Sequence, residues 1–278
     1  MKTQWEKIID HKYYTEGPGV DSDGNIYFTT LKGGSIMRLD INNTLCQWSS
    51  LSCPNGQRIL VNGHHLVCEV NMQAIIEIDR YGDFVRTIVQ GTCAGIPFTT
   101  PNDLIVDQFG GCYFTNSVRC KGQVFYVDPK GNEYQVLSGL DFPNGIAISP
   151  DGTNLLIAES YTNRILTVGL ASPGMAKGKY EVFADLPQNP LPLDHNRAPY
   201  TANLPDGIAF DHIGRLWVAH YGMGALQVLD VNGVHLHSVP TGIPATSNLC
   251  FLKNNDTIYV TGGSAEPGPG VLHKITIL

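Results

Sequence analysis

At 278 residues the chain exceeds the usual length of one ordinary domain but suits one large all-β fold built from repeated sheets. With 42% hydrophobic and only 15% charged residues it has ample material for buried strands, which excludes a disordered chain. A formal net charge of -7, with no run of lysine or arginine, excludes a phosphate-neutralising nucleic-acid face and disfavours an anionic membrane surface.

Residues 1–10 have neither the apolar core of a signal peptide nor the length to span a bilayer, so a cytoplasmic protein is expected. From residue 19 onward one unit recurs: an apolar strand, a turn rich in Asp and Gly, a second strand and a closing strand. Its copies begin at residues 19, 59, 104, 146, 208 and 249, about 40 residues apart, which is the spacing of four-stranded propeller blades. Period-two alternation at Ile26, Phe28 and Thr30, or at Leu216, Val218 and His220, marks strands, and no amphipathic helix is evident. Asp23-Gly24, Asn62-Gly63 and Asp151-Gly152 supply the tight turns. The expectation is one all-β domain over residues 1–278, a six-bladed β-propeller of four-stranded antiparallel blades. Residues 5–9 are expected to add the outer strand of the last blade, so that the N- and C-terminal strands close the ring.

The seven cysteines (Cys46, Cys53, Cys68, Cys93, Cys112, Cys120 and Cys250) form an odd set without a CxxC pair, so they read mainly as buried thiols. Cys46 with Cys53, or Cys112 with Cys120, would pair only in an exported chain. His64 and His65 read as turn residues, since adjacent strand positions face opposite ways. The fourth and fifth units are separated by extra residues at about 172–203, whose Pro-rich stretch 186–199 could cover the channel.

The innermost strands of a propeller surround its axis, so residues just ahead of them converge on one rim. Those positions hold Glu16, Asn102 with Asp103, Asn144, Asp206 and Asn248, all with side-chain oxygens. Asn, Asp and Pro also cap turns, but four recurrences at equivalent places, with Glu and Asp in different blades, exceed what capping explains. Carboxylates and amide carbonyls suit one hard divalent cation: calcium first, with magnesium, manganese or zinc as the alternatives.

The set Glu16-Gly17-Pro18, Pro101-Asn102-Asp103 leading to Tyr113-Phe114-Thr115-Asn116, Pro143-Asn144-Gly145 and Pro205-Asp206-Gly207 resembles the regucalcin and gluconolactonase family of metal-dependent six-bladed propellers over nearly the full length. The resemblance implies Glu16, Asn144 and Asp206 as metal ligands, Asn102 as a metal or substrate ligand, and Asp206 as general base. It departs from the family at Asn116, where Asp is common, and at Thr100, where some sugar lactonases carry an arginine. In the second blade, Pro54-Asn55-Gly56 is followed by Gln57-Arg58, and Asn62-Gly63-His64-His65 replaces an Asp-Gly turn.

The function implied is a metal-dependent lactonase acting on a small molecule, in a monomer or weak homo-oligomer. A divalent ion polarises the carbonyl and acidifies water, Asp206 assists water attack, and Asn102 orients the carbonyl. Asp103, Asn248, Arg58 and the insertion residues His195, Arg197 and Tyr200 are the remaining candidate substrate contacts. The alternatives are an organophosphorus ester hydrolase of the diisopropyl fluorophosphatase type, a ligand-binding propeller without catalysis, and a metal-independent propeller of the strictosidine synthase type. Without a GxSxG elbow, serine nucleophile chemistry is not expected.

Overall fold

The structure is a computed structural model that describes residues 1–189, 202–253 and 256–278. Six antiparallel sheets follow one another in chain order. Their innermost strands are Glu16–Val20, Pro54–Ile59, Pro101–Val106, Pro143–Ile148, Leu204–Phe210 and Ala245–Phe251. Each inner strand packs on the next, and the sixth on the first, which makes the circle of a six-bladed propeller. The last blade takes its outermost strand from the N-terminus: Thr3–His11 pairs antiparallel with Gly270–Ile277, from Thr3 opposite Ile277 to His11 opposite Gly270. The closing segment is thus longer than residues 5–9. The second blade gains Thr92–Cys93 and Ile96–Pro97 at its edge, and the fourth gains Met175–Ala176. Among the described residues the helical content is two 3-10 turns, Leu31–Gly33 and Ser160–Thr162.

Strand alternation places apolar residues on both faces of every sheet, and these pack between blades. Six clusters result, one per blade interface. Ile26, Phe28 and Leu39 against Leu272, for example, join the first blade to the last. Each fully buried side chain of this size contributes roughly 1.5–3 kcal/mol, so hydrophobic burial, more than strand pairing alone, holds the ring closed.

On the face away from the inner-strand starts, hairpins share a device. Asp21, Asp40, Asp79, Asp107, Asp128, Asp211 and Asp230 each accept the backbone N–H groups two and four residues on, the Asx arrangement that pins a tight turn. The anchor of the first hairpin is therefore Asp21, two residues before the Asp23-Gly24 pair, while Gly24 supplies the left-handed backbone at φ 89°. His64 lies in the second blade's first turn, where its N–H donates to Asn62 Oδ1 at 3.0 Å, and its ring meets Glu77 Oε1 at 2.7 Å. His65, by contrast, opens the strand His65–Glu69 and is buried. All seven cysteines are free, with Cys53, Cys68, Cys93 and Cys112 buried. No described helix is long and apolar enough to cross a membrane.

Candidate metal centre

Each of the six inner strands carries a bulge near its start. The register skips between Glu16 and Gly19, Pro54 and Gln57, Pro101 and Leu104, Pro143 and Ile146, Pro205 and Ile208, and Thr246 and Asn248. A bulge leaves a residue unpaired and re-aims its side chain. The polar residues expected ahead of the inner strands therefore lie within them. Asn55, Asn102, Asn144 and Asp206 share one register position, just after the paired proline. Glu16 occupies the proline's own position, and in the sixth blade the equivalent residue is Ser247, so Asn248 stands one place further along.

The residue after each bulged side chain explains the glycines. A methyl on Gly145 would overlap the Asp206 carbonyl and press on Gly207 Cα and Ile208 N, each 2.8 Å away. One on Gly56 would lie 2.7 Å from the Asn102 carbonyl. Glycine at these places lets one blade's bulge sit directly against the next, which draws the polar side chains together. In the third blade this position is Asp103 and in the sixth it is Asn248, so two side chains enter the ring there instead.

Glu16, Asn55, Asn102, Asn144 and Asp206 line one cavity of about 210 Å³ at the channel mouth, rimmed by Lys32, Thr100, Phe142 and Glu266. A neighbouring cavity of about 570 Å³ shares Phe142, Asn144, Asp206 and Glu266 and extends past Tyr161, Gln188, Asn203 and Tyr221. Asp103, Arg58 and Asn248 line neither. Arg58 pairs with Asp103 at 3.4 Å, fastening the second blade to the third, and Asn248 Nδ2 approaches Glu16 Oε2 at 3.5 Å. His195, Arg197 and Tyr200 lie outside the described residues.

Burial dominates the electrostatics. It pushes Glu16 up to about 8, with Gly17 N–H opposing and the Asp103 and Glu266 charges adding to the rise. Asp206 is held well above the ordinary carboxylate range by burial, then by Glu16 and Glu266. Glu266 keeps access to solvent but sits within the mouth, where desolvation raises it and Lys32 pulls it back. Two buried carboxylates that repel one another, flanked by amides, fit a divalent cation, which would remove the repulsion and take oxygen donors. Among the described residues no three His, Cys, Asp or Glu side chains form a metal-binding group, so a donor set here would have to include asparagine oxygens.

The departures in the second and third blades have structural duties. Gln57 Nε2 donates to the Gly17 carbonyl at 2.8 Å, and Gln57 Oε1 meets His65 Nδ1 at 2.8 Å. This fully buried pair braces the backbone beside Glu16. Gln57→Leu should orphan both partners and cost about 1–3 kcal/mol, seen as a lower melting temperature in chelator, with weaker cation binding from a less fixed Glu16. Asn116 accepts the N–H groups of Thr99 and Thr100 at 3.1 and 2.9 Å, tying down the approach to Asn102. Glu69 does the same for Ser52 and Cys53 in the second blade. An amide oxygen accepts these bonds as a carboxylate would, so Asn at 116 preserves the tie.

Glu266 escaped the sequence reading because it belongs to no repeat: it sits on the connection between Thr257–Gly263 and Gly270–Ile277, and only ring closure brings it to the mouth. Asn55 did carry a signal, since Pro54-Asn55-Gly56 copies Pro143-Asn144-Gly145.

A closed ring of six blades with carboxylates and amides gathered at its axis defines a six-bladed propeller with an oxygen-donor centre. The chain belongs to the SMP-30/gluconolactonase/LRE-like region family, whose model matches residues 14–264. It is similar to lactonase drp35 of Staphylococcus haemolyticus, at 26% identity over 94% of this chain and 84% of that protein. Among solved structures it shares its fold with a gluconolactonase from Xanthomonas campestris, at 23% identity and TM-score 0.82 over 99% of this chain and 90% of the other. A calcium-binding regucalcin from Agrobacterium tumefaciens has the same fold, at 19% identity and TM-score 0.79 over 97% and 92%.

Proposed function

We infer that the protein is a lactonase-type hydrolase dependent on one divalent cation. The observation that carries this reading is the convergence of Glu16, Asn102, Asn144 and Asp206, from four blades, on one axial cavity in a chain of the gluconolactonase family. The name of the staphylococcal relative supports the lactone, and the calcium-binding neighbour supports the cation.

In this reading Glu16, Asn144 and Asp206 hold the cation, with Asn102 beside it. When bound, the cation supplies Lewis-acid polarisation of a lactone carbonyl and acidifies a water molecule. Asp206 takes the proton from the attacking water, and Asn102 donates from its amide to orient the carbonyl. Glu266, at the junction of the two cavities, faces the incoming molecule, while the larger cavity, with Tyr161, Gln188, Asn203 and Tyr221, receives the rest of it through neutral hydrogen-bonding groups. Thr100 lines the central cavity without a positive charge, so Lys32 is the one cationic side chain lining it among the described residues. That favours neutral lactones over those bearing a free carboxylate.

The test is hydrolysis of a panel of neutral and acidic lactones plus one organophosphorus ester, by chelator-treated protein before and after adding calcium, magnesium, manganese or zinc. Lactone opening that vanishes with chelator and returns with one of these ions is expected. Turnover of the phosphorus ester alone would move the reading to that substrate, and undiminished activity in chelator would remove the cation from it.

A further inference from the structure

The geometry points to Asn55 as an additional oxygen donor to the same cation, which brings the second blade into the site. This rests on the cation reading above and goes beyond the ligands that reading names. Three observations meet at this residue. Asn55 stands at the bulge position shared with Asn102, Asn144 and Asp206. It lines the same cavity as those residues and Glu16. It is 7% exposed, and its Oδ1 is buried with no hydrogen-bond partner.

Among the described residues lining the cavity, no other buried side-chain nitrogen or oxygen lacks a partner. Glu16 Oε2 accepts the Gly17 N–H at 3.0 Å, and beside it Asn248 Oδ1 accepts the Leu249 N–H at 2.8 Å. A buried amide oxygen without a donor is normally avoided. Lining a cavity that holds two carboxylates, Asn55 Oδ1 lacks what a cation, or a water held by one, provides. Contact through the ion or through its water is the same chemistry for this residue, since both satisfy the oxygen from the cavity side.

The consequence is selectivity among ions. With Asn55 included, five consecutive blades offer Glu16, Asn55, Asn102, Asn144 and Asp206. A crowded set of oxygen donors suits calcium, which takes 6–8 oxygen ligands in flexible geometry. It suits magnesium less, because magnesium demands a near-ideal octahedron and keeps several waters, and zinc less again, because four ligands satisfy it. Asn55 is thus assigned to calcium preference as well as to affinity.

The experiment is calorimetric titration of metal-stripped full-length protein with calcium, magnesium and zinc chlorides, for wild type, Asn55→Leu, Asn55→Ala, Asn55→Asp and Asp206→Asn. Melting curves in chelator establish that each variant is folded. Asn55→Leu and Asn55→Ala should weaken calcium binding about tenfold or more (~1.4 kcal/mol) and magnesium or zinc binding less, narrowing the preference. Asn55→Asp, which keeps an oxygen in place, should retain calcium binding. Calcium binding by both truncated variants with wild-type affinity, while Asp206→Asn binds it more weakly, overturns the assignment of Asn55 alone. Failure of wild type to bind any of the three ions overturns the cation reading itself, and this inference with it.

Discussion

Asp206→Asn should abolish lactone turnover at saturating cation, with kcat falling on the order of a thousandfold, within the range general-base residues supply. The substitution is nearly isosteric and keeps an oxygen in the cavity, so a structural collapse is not expected. A stability measurement separates the two effects. Burial and the Glu16 charge raise the Asp206 pKa, and burial raises Glu16 to about 8. A carboxyl with a raised folded-state pKa favours the fold while protonated, fully so below its unfolded value, and loses that contribution as pH climbs through the folded value. Cation-free wild type should therefore melt at progressively lower temperature as pH rises from the ordinary carboxylate range, 3.8 and 4.5 for these two groups, through about 8. Asp206→Asn should flatten that slope, and added calcium should raise the wild-type melting temperature more at the alkaline end, because the ligands must be deprotonated to bind. Turnover by Asp206→Asn at the wild-type rate would remove the general-base role, and a pH-independent melt of cation-free wild type would contradict the buried pair.

Gly145→Ala should be the most damaging single-methyl change near the centre. The added carbon meets only backbone, the Asp206 carbonyl together with Gly207 Cα and Ile208 N, so no flexible side chain can swing aside. Overpacking of this kind costs typically 1–3 kcal/mol and sometimes more, and for a chain of this size a loss of about 3 kcal/mol lowers the melting temperature by roughly 5–10 °C. Because the displaced atom belongs to Asp206, cation affinity should fall in parallel. Gly131→Ala, where nothing lies within 4 Å but φ is 86°, is the control: it should lose some stability through backbone strain yet bind the cation as wild type does. Equal cation affinities for Gly145→Ala and wild type would mean that blade spacing does not set the donors.

The ring was legible in the sequence because each blade repeats its own turn chemistry and strand period, and the closing strand because Trp5 to Ile9 is a short β-type segment ahead of the first repeat. The bulges were not, since register is a property of pairs: nothing within Pro143-Asn144-Gly145 says that its partner strand counts two residues where it counts three. That is why Asn248 reads as the mate of Asn144 in sequence, whereas pairing puts Ser247 there. The altered second blade looked like erosion of a pattern. In space Gln57 and His65 support the Glu16 backbone and Arg58 pairs with Asp103, which long-range contacts alone reveal. Glu266 depended on closure and had no local signature.

The chain's first strand finishes its last sheet. Thr3 cannot meet Ile277 until Gly270–Ile277 has been made, so a nascent chain that stops short of it carries five buildable blades and an unclosed gap. Glu16, made well before the sixth blade, waits beside that gap for Asn248 and for the loop bearing Glu266. On the cation reading, ion capture is a late event in biogenesis, available only once Gly270–Ile277 has been made, and a product truncated before that strand would present an open sheet edge in its place.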